Sequence, residues 1–120
     1  MNDVFFVDSQ KGWVVGISGT VLHTKDGGKN WIQQKSGTKN PLAEIYFVDA
    51  MKGWAVGDFG TIIHTTDGGR TWKPQDSTVK YELTGLNFVN QNTGWAIGKW
   101  GIILKYVEPS PMSVKLSKGM

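Results

Sequence analysis

The chain of 120 residues contains no cysteine, which excludes a disulfide framework, thiolate metal sites and cysteine nucleophiles. Arginine is nearly missing: twelve of the thirteen basic residues are lysine, and Arg70 stands alone. No apolar run approaches the roughly 18 residues of a membrane-spanning helix, so no membrane insertion is expected. The opening MNDVFFVDSQ has neither a basic n-region nor a long apolar h-region, so no signal peptide is expected. Charge is modest. Charged residues make up 19% and the net is +3, spread along the chain, which gives no case for nucleic acid as a partner. No segment keeps a 3.6-residue apolar period over ten residues, so helices are not expected.

What the chain has in excess is glycine, 16 residues, and tryptophan, 6 residues. Glycine is at about twice its average usage of roughly 7%. Their positions repeat. Gly12, Trp13 and Gly16 recur as Gly53, Trp54 and Gly57, then as Gly94, Trp95 and Gly98, each step being 41 residues. Phe6-Val7 recurs as Phe47-Val48 and Phe88-Val89, and Gly19 as Gly60 and Gly101. Residues 3–43 and 44–84 share 20 identities in 41 aligned positions without a gap. The chain is therefore almost entirely one tandem array, with a third copy that diverges after Lys105.

Each unit reads as short strands. Residues 44–49 (EIYFVD) and 53–57 (GWAVG) are the first two, the second followed by a tight Asp58-Phe59 turn between glycines. Residues 61–66 (TIIHTT) form the third, and Asp67-Gly68-Gly69 is a strong hairpin turn, because glycine takes positive φ at no steric cost. Residues 71–77 (TWKPQDS) form the fourth, where Pro74 suits an edge. Four strands in about 40–45 residues, in tandem, is the pattern of propeller blades. The expectation is an all-β chain of three four-stranded antiparallel blades, about 1–42, 43–83 and 84–116. Ser113–Leu116 is a candidate fourth strand of the last.

The segments Thr24-Lys25-Asp26-Gly27-Gly28-Lys29-Asn30-Trp31 and Thr65-Thr66-Asp67-Gly68-Gly69-Arg70-Thr71-Trp72 resemble Asp-boxes, the bacterial neuraminidase repeat. The wider pattern F-V-D-x-x-x-G-W-x-V-G-x-x-G-T-x-x-H-T-x-D-G-G-x-x-W resembles the photosystem II stability/assembly factor family over roughly residues 3–106. That resemblance implies a β-propeller with the box between the third and fourth strands of each blade. It also implies a protein-binding scaffold outside the cytoplasm, periplasmic or secreted. The family's arginine-rich partner patch has no counterpart in a chain whose only arginine is Arg70. The third unit departs from the pattern, with Glu108 in place of Asp and Pro109-Ser110-Pro111 in place of the glycines.

Within the boxes, Thr24, Asp26, Gly28 and Trp31, and Thr65, Asp67, Gly69, Thr71 and Trp72, read as structural. A turn aspartate accepts backbone N–H groups just ahead of it and fixes the hairpin. His23 and His64 share a register. Equivalent positions on neighbouring blades are too far apart to share one ion, given a sheet spacing of roughly 10 Å against ligand distances near 2.1 Å. No metal and no cofactor are expected. Trp13, Trp54 and Trp95 read as blade-to-blade packing.

Trp100 is the tryptophan outside these registers, in the G-x-x-G turn where earlier copies have Ser18 and Phe59. Such turns share a face with the inter-blade linkers, residues 36–43 and 76–84. Asp58, Phe59, Lys99, Trp100, Lys39, Lys80 and Tyr81 are therefore the candidate binding set, for a protein or peptide or, alternatively, a carbohydrate or cell surface. No catalytic residue is expected. One arginine cannot form a sialidase's carboxylate clamp, and no carboxylate pair stands out for other glycoside hydrolases. Three blades fall short of the roughly 4–8 that close a ring. A homodimer closing a six-bladed ring, or membership of a longer propeller, is expected.

Overall fold

The computed structural model describes residues 1–107 and the strand 114–118. Its strands form three antiparallel four-stranded sheets, each in simple meander order. The first holds β1 (Asp3–Phe6), β2 (Gly12–Val15), β3 (Val21–Thr24) and β4 (Ile32–Gln34). The second holds β5 (Leu42–Phe47), β6 (Gly53–Gly57), β7 (Ile62–Thr65) and β8 (Lys73–Gln75). The third holds β9 (Leu83–Asn90), β10 (Thr93–Gly98), β11 (Ile102–Val107) and β12 (Val114–Lys118). The outermost strands β4 and β8 have three residues each, shorter than the 71–77 expected, because Thr71 is bonded into the preceding turn. The third sheet's expected final strand falls on β12, which pairs with β11 from Ile102↔Lys118 to Tyr106↔Val114. Glu108, Pro109-Ser110-Pro111 and Ser113 lie outside the described residues.

The 41-residue period becomes a register. Trp13 pairs with His23 in β2–β3, and Trp54 pairs with His64 in β6–β7. Opposed residues share a sheet face, so each Trp-His pair points at the next sheet. Trp13 stacks on Phe47 at 3.6 Å between ring centroids, and Trp54 on Phe88 at 4.0 Å. His23 and His64 lie flat on the other side of the same two indoles, each at 4.6 Å. Around these stacks sit two cores. One joins Trp13, Val15 and Val21 to Leu42, Ile45, Phe47, Ala55, Ile63 and Trp72. The other joins Trp54, Val56 and Ile62 to Leu83, Phe88, Ala96, Leu104 and Tyr106. Every position of β6 is buried, since the second sheet packs on both faces.

Polar clasps cross the same joints. The Asp3 carboxylate accepts the Ile45 N–H at 3.0 Å, and 41 residues on the Glu44 carboxylate accepts the Leu86 N–H at 2.8 Å. Burial, and then the neighbouring Asp3 charge, push the Glu44 carboxyl up, while the Leu86 N–H pulls the other way. Trp13 Nε1 donates to the Gly68 carbonyl at 3.1 Å, and Trp72 Nε1 to Gln34 Oε1 at 3.2 Å. Half-buried polar groups therefore help to fix how one sheet sits on the next.

Candidate functional site

Antiparallel strands divide the loops between two ends of the array. At one end lie the turns joining the third and fourth strands of the first two sheets. Thr65 Oγ1 accepts the Gly69 N–H at 2.9 Å and donates to Asp67 Oδ1 at 2.8 Å. The Asp67 carboxylate also accepts the Thr71 N–H at 2.9 Å and the Thr71 hydroxyl at 2.6 Å. In the first sheet Gly28 N–H donates to Thr24 Oγ1 at 2.9 Å, and Thr24 Oγ1 to Asp26 Oδ1 at 2.8 Å. Asn30 takes the place of Thr71 there, donating its N–H and its side-chain amide to Asp26 at 2.9 and 2.8 Å. One difference separates the copies: Trp72 is buried in the joint, whereas Trp31 is 37% exposed on the outer face of the first sheet.

These bonds favour the ionised aspartates. The Thr71 hydroxyl, then the Thr71 N–H, hold the Asp67 carboxyl down to about 2 from an ordinary 3.8. The Asn30 side-chain amide, then its N–H, hold Asp26 at about 2 as well. A carboxyl depressed on folding contributes stability above its unfolded value that is lost as pH falls through the folded one. Thermal stability should therefore hold above about pH 4 and fall between 3.8 and about 2. Melting curves of the wild type and of Asp67→Asn, taken at pH 5, 3 and 2, check this. The variant should start lower at pH 5 and change less on acidification; parallel losses in both would contradict it. Solvent screening at so exposed a turn limits the Asp67 contribution to about 1 kcal/mol.

The opposite end carries the turns between second and third strands, together with the linkers. Each turn places its middle residue in the left-handed region: Ser18 at φ 56°, Phe59 at φ 59° and Trp100 at φ 68°. For a bulky side chain this conformation is an outlier that costs roughly 1–2 kcal/mol. The rings gain little burial in return. Phe59 is 68% and Trp100 80% exposed. Backbone bonds tie each turn to a linker, Asp58 N–H donating to the Pro41 carbonyl and Lys99 N–H to the Glu82 carbonyl, both at 3.0 Å. Lys99 Nζ also sits 3.1 Å from Glu82 Oε1.

The candidate residues thus fall into two like groups, one per sheet. Half-buried Asp58 and exposed Phe59 are tied to the linker that carries exposed Lys39. Exposed Lys99 and Trp100 are tied to the linker that carries exposed Lys80 and Tyr81. The left-handed conformation of the two aromatics had no signal in the sequence. A second feature was also missed, a groove of about 580 Å³ at the other end, between the first two sheets. Lys11, Lys25, Lys35 and Arg70 line it beside Asp67; these cations are far apart in the chain and meet only through sheet packing. Among the described residues, no three His, Asp or Glu side chains come together as metal ligands.

Three meander sheets, stacked through a repeating Trp-on-Phe joint, are consecutive blades of a β-propeller. Residues 1–73 and 33–107 match the family described as "Photosynthesis system II assembly factor YCF48". The chain belongs to that family. It is similar to the solved "YCF48 bound to D1 peptide", at 25% identity and a TM-score of 0.80, covering 96% of this chain and 38% of that one. It is also similar to the solved "YCF48 from Cyanidioschyzon merolae", at 22% identity and a TM-score of 0.79, with the same 96% and 38% coverage. A stretch of 29 residues is 45% identical to "Photosystem II assembly protein Ycf48" of Thermosynechococcus vestitus (strain NIES-2133 / IAM M-273 / BP-1), covering 24% of this chain and 8% of that protein. The chain thus spans less than two fifths of the solved relatives it matches.

Proposed function

We propose that this chain is a non-catalytic assembly-factor module that holds a peptide segment of a protein partner on the face built by the second-to-third-strand turns and the linkers. The observation carrying this reading is the pair Phe59 and Trp100, large, exposed and left-handed at one register on consecutive sheets. An unfavourable backbone conformation that presents an aromatic ring to water points to a contact made elsewhere. A solved relative bound to a D1 peptide supports a peptide as the ligand. Lys39 and Lys80 supply positive charge here without arginine. The blades belong to a closed ring, completed in this reading by a second copy of the chain or by further blades of a longer propeller. The compartment, by family kinship, is outside the cytoplasm.

Fluorescence anisotropy with a labelled D1 peptide as probe tests the face. Phe59→Ala and Trp100→Ala are each expected to weaken binding about tenfold or more, as loss of an aromatic anchor does. Charge reversal at Lys25 and Lys35 in the opposite groove should leave affinity within twofold. Equal affinity in both aromatic variants, or loss only on reversal in the groove, would overturn the assignment. A glycan array covers the carbohydrate alternative, which requires binding that disappears with Trp100→Ala.

A further inference from the structure

The groove between the first two sheets, at the end away from the Phe59 and Trp100 turns, carries charge that the fold does not require. We infer that an extended acidic segment of a protein partner docks there, adding to the open edge of β4 as a fifth strand of the first sheet. This site is separate from the loop face and stands without it.

The open edge follows from the ladder. Beside the β2–β3 turn the Gly16 N–H donates to the Thr20 carbonyl at 3.1 Å. Antiparallel bonds alternate along a strand, so Leu22 bonds towards β2, while Val21 and His23 bond towards β4. Ile32 and Gln34 return those bonds, which leaves the Gln33 N–H and carbonyl pointing outward. No described strand lies beyond β4. The sheets of the array meet face to face, so a neighbouring blade does not cover this edge. An unpaired edge of this kind is a template for strand addition. The second sheet supplies the contrast. At the same register Pro74 takes the place of Gln33, and proline has no N–H to offer.

Charge separates the two sheets in the same way. Lys25 and Lys35 have Thr66 and Asp76 as their counterparts 41 residues on, whereas Lys11 recurs as Lys52. Lys11, Lys25, Lys35 and Arg70 line the groove along β4, with Ile32 as an exposed apolar wall. Among the described residues, none of these four cations is in an ion pair. The groove's own carboxylate, Asp67, is engaged by Thr65 and Thr71. Unpaired cations beside an open strand edge suit a ligand that brings both a backbone and negative charge. An acidic peptide does so; a free anion brings charge alone. The second sheet keeps the same fold with neither the outward donor nor these two lysines. Both features of the first sheet therefore answer to a partner rather than to folding.

Fluorescence anisotropy on the purified chain is the test, with a labelled peptide of roughly eight residues that alternates glutamate and threonine. Saturable binding is expected, weakening as salt rises from roughly 50 to 200 mM. Lys25→Glu combined with Lys35→Glu should weaken it about tenfold or more. Gln33→Pro copies what the second sheet already holds, so the fold should survive it, and binding should again fall about tenfold with the edge donor gone. If circular dichroism shows that variant unfolded, methylating the peptide's backbone nitrogens removes the opposing donors and should weaken binding to the wild type alike. A peptide alternating lysine and threonine should not bind. Phe59→Ala and Trp100→Ala should leave the acidic peptide within about twofold, so this site and the loop face are read separately. Absence of saturable binding, or equal binding of the lysine peptide, would overturn the inference. So would full affinity after Gln33→Pro or after backbone methylation, which would reduce the groove to charge attraction without an added strand.

Discussion

Trp54→Ala is expected to destabilise the chain by about 3–5 kcal/mol, the cost of removing a large buried aromatic that its neighbours cannot replace. At about 4 °C per kcal/mol this is a fall in melting temperature of roughly 12–20 °C. The size follows from position. Trp54 is buried, stacked between His64 at 4.6 Å and Phe88 at 4.0 Å, with the Tyr106 ring meeting it edge-on at 5.1 Å. The cavity left would open both the second sheet's own face and the joint to the third sheet. Denaturant unfolding followed by circular dichroism measures it, and a loss under about 1 kcal/mol would show that the stack is not what joins the sheets. Trp54→Phe keeps a ring on Phe88 and should recover a large part of the loss.

Gly60→Ala should cost a comparable amount, for a different reason. Gly60 has φ +70°, and a Cβ placed there would lie 2.0 Å from the Val79 carbonyl oxygen and 2.8 Å from Ser77 Oγ. The first obstacle is backbone in the linker, so the two segments must separate. Left-handed strain of roughly 1–2 kcal/mol and overpacking of about 1–3 kcal/mol add to about 2–5 kcal/mol. The next residue back gives the opposite sign. Phe59→Gly relieves an outlying φ of 59° and should leave stability unchanged or raise it by up to about 1 kcal/mol, while weakening peptide binding. Thermal melts of both variants make the comparison, and a destabilised Phe59→Gly would mean that the ring supports the fold rather than a partner.

Much of this architecture could be read from spacing. A period of 41 residues with alternating apolar types determines strand number, order and face, and the structure has the three four-stranded sheets that the repeat implies. The candidate binding face followed from antiparallel geometry in the same way. What the sequence hid were relations between residues that no local pattern links. Gln34 and Trp72 are bonded although 38 residues apart, and each is unremarkable alone. Asp3 and Glu44 read as ordinary charges at strand starts, yet each reaches across to the next sheet. The left-handed Phe59 and Trp100 run against the preference of their side chains for ordinary backbone angles, so propensity points away from the truth there.

The middle position of the second sheet has a thermodynamic meaning. Contacts run from sheet to sheet, and each sheet touches only its neighbours, so stability approximates a sum of unit terms and nearest-neighbour couplings. Either end sheet is held by one coupling, while the second sheet, with β6 buried along its whole length, is held by two. Within these three sheets the second is therefore the last to let go. Closing such a series of sheets into a ring changes that order. A linear series has two fraying ends; a cycle has none, and every sheet then takes on the doubly coupled state that only the second sheet has in a single chain.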